Sequence, residues 1–315
     1  MPQEITMADF EIRTMRAADR WEVAELIYIS INHWYLTHGQ AAIFQGGPAV
    51  TDIFFHVYEA LDPGCGIVAE DRHTGRLLGS CFYHPRAHHV SLGIMNVHPN
   101  HFGAGAGKAL LDHIIAIARE AKQPLRLTQS ALNLDSFSLY NRAGFVPRHA
   151  YQDMFLKVPE TGLGEPVAGS TCVRPARTDD VAEIAKLEME VSRITREKDY
   201  RYAIDNLDGH WRICVYESEN QGIEGFLISC GHPAMNMIGP GVARTEAQAA
   251  AMIWHEFNAY PGRSPVVLIP VQSAELVRSM YDWGARNCEL HFCQVLGEFH
   301  PFEGVNLPSF LPETG

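Results

Sequence analysis

The stretch Ser91-Leu-Gly-Ile-Met95-Asn-Val97-His-Pro-Asn-His-Phe102-Gly103-Ala104-Gly105-Ala106-Gly107-Lys108-Ala-Leu-Leu-Asp-His-Ile-Ile115 changes its periodicity halfway along. Up to Val97 it reads as an apolar strand, and from Lys108 the apolar residues Leu110, Leu111, Ile114 and Ile115 recur at helical spacing. Three glycines separated by single alanines join the two. Glycine tolerates positive φ and lets a ligand approach the backbone, while a helix N-terminus presents unpaired N–H groups and a dipole that favours anions. The stretch therefore predicts a main-chain cradle for a phosphate or pyrophosphate, with Lys108 in the first helical turn. Taken alone, Gly-x-Gly-x-Gly reads equally well as a mobile turn, and context decides. Upstream, Gly66-Ile-Val-Ala-Glu70, the turn Asp71-Arg-His-Thr-Gly75 and Leu77-Leu-Gly-Ser-Cys-Phe-Tyr83 predict an antiparallel hairpin, where a dinucleotide fold would need a parallel unit. Downstream come a strand over Leu125–Leu132 and a helix closed by Gly144.

With these residues in place, Val97 to Leu111 resembles the acetyl-CoA-binding motif of the GNAT superfamily of N-acetyltransferases. Asn133-Leu-Asp-Ser-Phe-Ser-Leu-Tyr140-Asn-Arg-Ala-Gly144-Phe145 is similar to that family's second motif in residue types and spacing. The two motifs cover roughly residues 90–157. The resemblance implies an α/β fold of the α+β type: a mixed, mostly antiparallel sheet splayed between its fourth and fifth strands and flanked by helices. It implies acetyl-CoA as co-substrate, held by Met95, Val97, Phe102, Gly103, Ala104, Gly105, Ala106, Gly107, Lys108, Asn133 and Tyr140. Phe102 departs from the family pattern, which usually has Arg or Gln there, so a side chain that helps to hold the loop is missing.

The implied chemistry is direct acetyl transfer to an amine in a ternary complex. Tyr140 matches the family tyrosine near the CoA sulfur, and a phenol with an ordinary pKa of about 10 stays protonated at neutral pH and can act as general acid. Packing in the core is the alternative reading of Tyr140, and a plain helix N-cap that of Asn133. Main-chain groups of the strand ending at Val97 would polarise the thioester carbonyl. The family often carries Glu or His on the fourth strand as base, but the alternating set here is Ser91, Gly93 and Met95. His89, with His84 and His88 as neighbours, is the candidate base acting through water. The alternatives are a solvated histidine cluster and no dedicated base. Acceptor residues are expected around Trp34, Tyr35 and His38, in a region dense in aromatic and neutral polar groups that suits a small molecule; simple packing of these rings is the other reading.

The chain also repeats itself. Glu11-Ile-Arg13-Thr-Met-Arg-Ala-Ala-Asp19 aligns with Cys172-Val-Arg174-Pro-Ala-Arg-Thr-Asp-Asp180, and a glycine-closed helix at Leu276–Gly284 answers the one at Phe137–Gly144. The expected organisation is an acetyltransferase domain over 1–158, a linker over 159–170, a degenerate copy over 171–298 and an irregular tail over 299–315 that docks on the surface. In the copy, Met280 stands where Tyr140 does. Its junction Ile238-Gly-Pro240-Gly-Val-Ala-Arg244-Thr-Glu246 replaces the small residues and loses a donor at proline.

Length and composition agree with two cores: 315 residues, 46% hydrophobic and 20% charged. Twenty-five Lys and Arg against 37 Asp and Glu give a formal charge of −12, which argues against nucleic acid and anionic membranes as partners and favours an amine. Seven cysteines, an odd number lying mostly in apolar runs, read as buried thiols in a reducing, cytoplasmic setting. Cys288, His291 and Cys293 on an alternating strand cannot all face one point, so no metal is expected. The N-terminal residues lack a basic and an apolar leader region, and no run approaches a membrane span. The chain reads as a monomer or homodimer. A non-catalytic acyl-CoA sensor and an acyltransferase with another donor remain the competing readings.

Overall fold

A computed structural model describes residues 9–311, so the leader reading at the N-terminus falls almost wholly outside the described residues. The first repeat runs β1 (Phe10–Thr14), α1 (Arg20–Thr37), α2 (Asp52–Leu61), β2 (Gly66–Asp71), β3 (Leu77–Pro85), β4 (Val90–Val97), α3 (Ala106–Glu120), β5 (Leu125–Ser130), α4 (Leu134–Arg142) and β6 (Val146–Phe155). The second repeats that order as β7 (Val173–Pro175), α5 (Val181–Ser192), α6 (Glu197–Asp205), β8 (Trp211–Ser218), β9 (Gly222–His232), β10 (Met235–Ala243), α7 (Glu246–Phe257), β11 (Val266–Pro270), α8 (Ala274–Asp282) and β12 (Arg286–Leu296), followed by β13 (Val305–Leu307).

The aligned Arg and Asp of the two repeats make the same contact twice. Arg13 donates through both terminal nitrogens to Asp19 at 2.6 and 2.9 Å, and Arg174 does so to Asp180 at 2.7 and 3.0 Å. Each aspartate also accepts the backbone N–H three residues earlier, from Arg16 or Arg177, and so ties the first strand to the start of the first helix. The Arg174 guanidinium holds the Asp180 carboxyl below its usual range. A half-buried, bidentate pair explains why these two positions kept their identity through the repeat.

By packing, the chain forms two units whose limits differ from those of the repeats: the chain before Arg86 with 90–125 and 310–311, and residues 86–89 with 126–309. In the first unit the antiparallel order is β1-β2-β3-β4, with α1, α2 and α3 burying Val23, Ile27, Phe54, Leu110 and Ile114. In the second the order is β5-β12-β6-β11-β10-β9-β8-β7. The last long strand of each repeat is thus exchanged. β6 lies between β12 and β11 of the other repeat, in register from Val295↔Val146 to Arg286↔Phe155, and β12 lies beside β5. Met154, Ile238, Ile253, Phe257, Ile269 and Met280 form the core against this sheet.

The tail corrects an expectation. Residues 299–304 form no helix or strand and are mostly exposed, but β13 pairs antiparallel with β10 through Gly241↔Leu307 and Ala243↔Val305, and Val305, Leu307 and Leu311 are buried. The cause lies in β10, whose parallel pairing with β11 stops at Ile238↔Val267. Beyond that point its backbone groups need a partner, and the tail supplies it.

Candidate functional site

Helix α3 opens on Gly105, whose φ of 92° is left-handed and whose missing side chain leaves the N-cap without a side-chain acceptor. The N–H groups of Ala106, Gly107 and Lys108 begin the helix with no intrahelical partner. Gly103, at φ 79°, bends the chain before them, and a Cβ there would meet nothing within 4 Å. The Phe102 and Ala104 amides are committed instead to the Pro99 and His101 carbonyls at 3.4 and 3.2 Å. Phe102 is 53% exposed, with its ring 6.3 Å from that of His33. Lys108 is a surface residue paired with Asp112 at 2.5 Å, so the donor set here is mainly main-chain.

The matching helix of the second repeat is closed. The Thr245 hydroxyl caps α7 by accepting from the Gln248 backbone N–H at 3.3 Å, and the Gln248 side-chain oxygen in turn accepts from the Thr245 backbone N–H at 3.0 Å. This capping box satisfies donors that α3 leaves open. The preceding Gly239 has no space either, since a Cβ there would lie 2.4 Å from the Pro308 carbonyl oxygen of the tail.

Strand β4 carries a bulge: Leu92↔Tyr83 and Met95↔Cys81 are consecutive paired positions, so Gly93 and Ile94 together oppose Phe82. Met95 and Val97 follow it, half-buried. At the bulge, Nε2 of His84 lies 2.8 Å from where a Cβ on Gly93 would stand. The His84 imidazole, carried by β3, therefore occupies the space of a side chain on β4. Its Nδ1 bonds Asp62 Oδ2 at 2.7 Å, with both groups buried. Sequence reading passed over this dyad because Asp62 is 22 residues away and nothing in a period of two marks a cross-strand substitute.

Asn133 caps α4, accepting from the Ser136 amide at 3.0 Å, which is the helix-cap alternative. Tyr140, on the same helix, is buried with its ring 5.7 Å from that of Phe145. His89 departs from both sequence readings, since it is neither solvated nor within reach of water. It is fully buried, and burial first, then the guanidiniums of Arg126, Arg196 and Arg86, drive its proton affinity well below the usual value. Such a ring is a poor proton acceptor.

The acceptor candidates divide by burial. Phe44 is core, packed on Phe54 and held through its backbone by Asn32 at 2.9 and 3.0 Å. Trp34 is half-buried at the end of α1, where it stacks on His38 at 4.3 Å and meets Tyr35 edge-on at 4.9 Å. No disulfide joins any of the seven cysteines, and four of them are buried. Where β12 meets β6 the ligand-type groups that converge are Asp153, Glu289 and His291, within 4.8 Å of one another. They are not the cysteine set considered from sequence, because Asp153 arrives on the exchanged strand β6. Each is committed to the protein: His291 Nδ1 to Asp153 at 2.9 Å, and Glu289 to the Ser130 hydroxyl. Among the described residues no helix is long and apolar enough to cross a membrane.

Comparison with solved structures gives the same architecture over nearly the whole chain. A Pyrococcus horikoshii protein superposes with TM-score 0.72 at 15% identity over 97% of both chains. A GCN5-related N-acetyltransferase from Sphaerobacter thermophilus gives 0.65 at 16% over 95% of this chain and 100% of its own. A tandem GNAT protein from the clavulanic acid biosynthesis pathway gives 0.61 at 14% over 93% and 100%. At such identities the likeness is one of fold. In sequence, 111 residues are 27% identical to UPF0157 protein YqkA of Bacillus subtilis, a stretch covering 35% of this chain and 31% of that relative. Residues 29–145, which contain the α3 loop, the β4 bulge and Tyr140, match the family model described as acetyltransferase (GNAT) family. Over residues 29–145 the chain therefore matches a GNAT-family acetyltransferase domain.

Proposed function

We propose that the protein is an acetyl-CoA-dependent N-acetyltransferase that moves the acetyl group to the amine of a small molecule by direct transfer, using the loop of the first repeat and not that of the second. One observation carries this reading: the N-terminus of α3 opens on a left-handed glycine with no side-chain cap, while α7 is closed by Thr245 and Gln248. The amides of Gly103, Gly105, Ala106, Gly107 and Lys108 suit a pyrophosphate, and when bound acetyl-CoA supplies an acyl group activated as a thioester. Main-chain groups of Met95 and Val97 line the pantetheine arm, and Asn133 orders the entry to α4. Tyr140 donates a proton to the departing thiolate. His84 replaces His89 as base: its ring accepts the amine proton at the β4 bulge, with Asp62 fixing the tautomer and stabilising the imidazolium. Trp34, Tyr35 and His38 contact the acceptor. Seven cysteines without a disulfide fit a reducing cytoplasm, and the −12 charge favours a cationic amine.

A calorimetric titration with acetyl-CoA tests the donor. One site per chain is expected. Gly105→Val, which strains a left-handed position by about 1–3 kcal/mol and covers the donors, is expected to weaken binding roughly tenfold to a hundredfold. Thr245→Val, at the closed junction, is expected to leave binding unchanged. Absence of binding, two sites, or an equal loss in both variants would defeat the reading. His84→Gln is expected to lower kcat by about 10²–10⁴-fold at unchanged acetyl-CoA affinity. Thiol release from acetyl-CoA over a panel of primary amines measures it, and an unchanged kcat removes His84 as base.

A further inference from the structure

Three guanidiniums are buried in the second unit, and the protein neutralises two of them. Arg86 donates to Asp199 at 2.7 and 3.1 Å, and Arg196 to Glu188 at 2.9 Å. Arg126, on β5 and 2% exposed, has no hydrogen bond or ion pair among the described residues. Its Nε and Nη1 are enclosed without an acceptor, and its one close partner is the Phe299 ring, 5.8 Å from the guanidinium carbon. Around it the same shortage recurs: Arg196 Nη1 lacks an acceptor, and both ring nitrogens of fully buried His89 lack a partner. These groups feel one another electrostatically, Arg126 acting on His89 and Arg196 acting on both.

The charge sum is three cations against two carboxylates, an excess of one. His89 adds no charge because burial and the neighbouring guanidiniums keep it unprotonated. Enclosing an uncompensated cation is strongly unfavourable, and a water molecule filling the space would supply hydrogen bonds but no charge. What completes the cluster is a group with acceptors only and a single negative charge. A carboxylate has this chemistry, and its two oxygens match a guanidinium fork. A neutral imidazole adds one N–H donor toward such a carboxylate.

We propose that Arg126, with Arg196 and His89 beside it, forms a binding site for a small monoanionic carboxylate. The ligand is small because the side chains that would hold it are almost wholly enclosed. This site stands apart from the acetyl-transfer reading, since its groups belong to neither the α3 loop nor the β4 bulge.

The full-length chain tests it by thermal melting with formate, acetate, inorganic phosphate or chloride at matched ionic strength. The expected result is a melting temperature that rises with the logarithm of formate or acetate concentration and not with chloride. Arg126→Met, which keeps the volume and removes the charge, is expected to abolish that rise, and Arg126→Lys to retain a weaker one. Should Arg126→Met fail to fold, the selectivity of the wild type and the weakened response of Arg126→Lys still decide. A response to phosphate alone, an equal response to every salt, no response, or one that survives in Arg126→Met overturns the site.

Discussion

Replacing Tyr140 with Phe is expected to lower kcat by about 10²–10⁴-fold while acetyl-CoA affinity stays within about twofold, a shift of less than roughly 0.5 kcal/mol. The side chain is buried on α4 against Phe145, so Phe keeps the packing and removes one hydroxyl. In the proposed mechanism that hydroxyl acts at the moment the carbon–sulfur bond breaks. A thiolate with an ordinary pKa near 8.5 is a tolerable leaving group, and a phenol near 10 can protonate it as charge develops. The deficit should therefore shrink as pH rises above about 8.5, where a free thiolate no longer needs the proton. Thiol release in the steady state over a panel of primary amines, with a calorimetric affinity beside it, measures both quantities. An unchanged kcat with intact binding would refute the acid role, and failure of the wild type with every amine would favour a CoA-binding sensor. The second repeat supplies a control: Met280, at the matching place, is fully buried in the core and has no proton to give.

Glu188→Ala is expected to be the most destabilising single change, by about 3–5 kcal/mol. Glu188 is fully buried on α5, accepts from Arg196 at 2.9 Å, and also takes the Tyr200 hydroxyl. Arg196 is in turn 2% exposed and already has one nitrogen without an acceptor. Removing the carboxylate leaves that guanidinium charged and enclosed, close to Arg126, whose own charge is unmatched. The Coulomb gain of such a pair roughly offsets the desolvation of its members, so loss of one partner exposes the whole penalty of the other. A fall in melting temperature of roughly 10 °C is expected. Glu190→Ala is the comparison, since Glu190 pairs with Arg244 at 2.5 Å where both side chains are 41% exposed. Screening by water limits that loss to about 0–1 kcal/mol. Equal melting temperatures for the two variants would sink the argument.

Local chemistry was legible in the sequence wherever a feature depends on neighbours along the chain. The glycine loop opening α3 was readable because φ beyond 70° and uncovered amides need small residues in a row. The duplicated strand, turn and helix were readable because Arg13 and Asp19, and Arg174 and Asp180, contact each other six residues apart. The altered residues at 239–246 showed that the second junction differs. What closes it was legible only in part: the Thr245–Gln248 box is a local pattern, but the tail that fills the space beside Gly239 comes from about seventy residues further on.

Tertiary structure alone decided the rest. The exchange of β6 and β12 brings Asp153 to His291 and sets the limits of the packed units away from 158–170, because strand partners are chosen by hydrogen-bonding edges and not by sequence order. His84 occupies the space left by Gly93 because a β-bulge changes which side chains face one another. His89, one alternation from Ser91 and read from sequence as a base acting through water or as part of a solvated cluster, is enclosed by arginines that arrive from β5 and from the segment before α6. Periodicity tells which face a residue takes. The charges waiting on that face come from parts of the chain brought together only by folding.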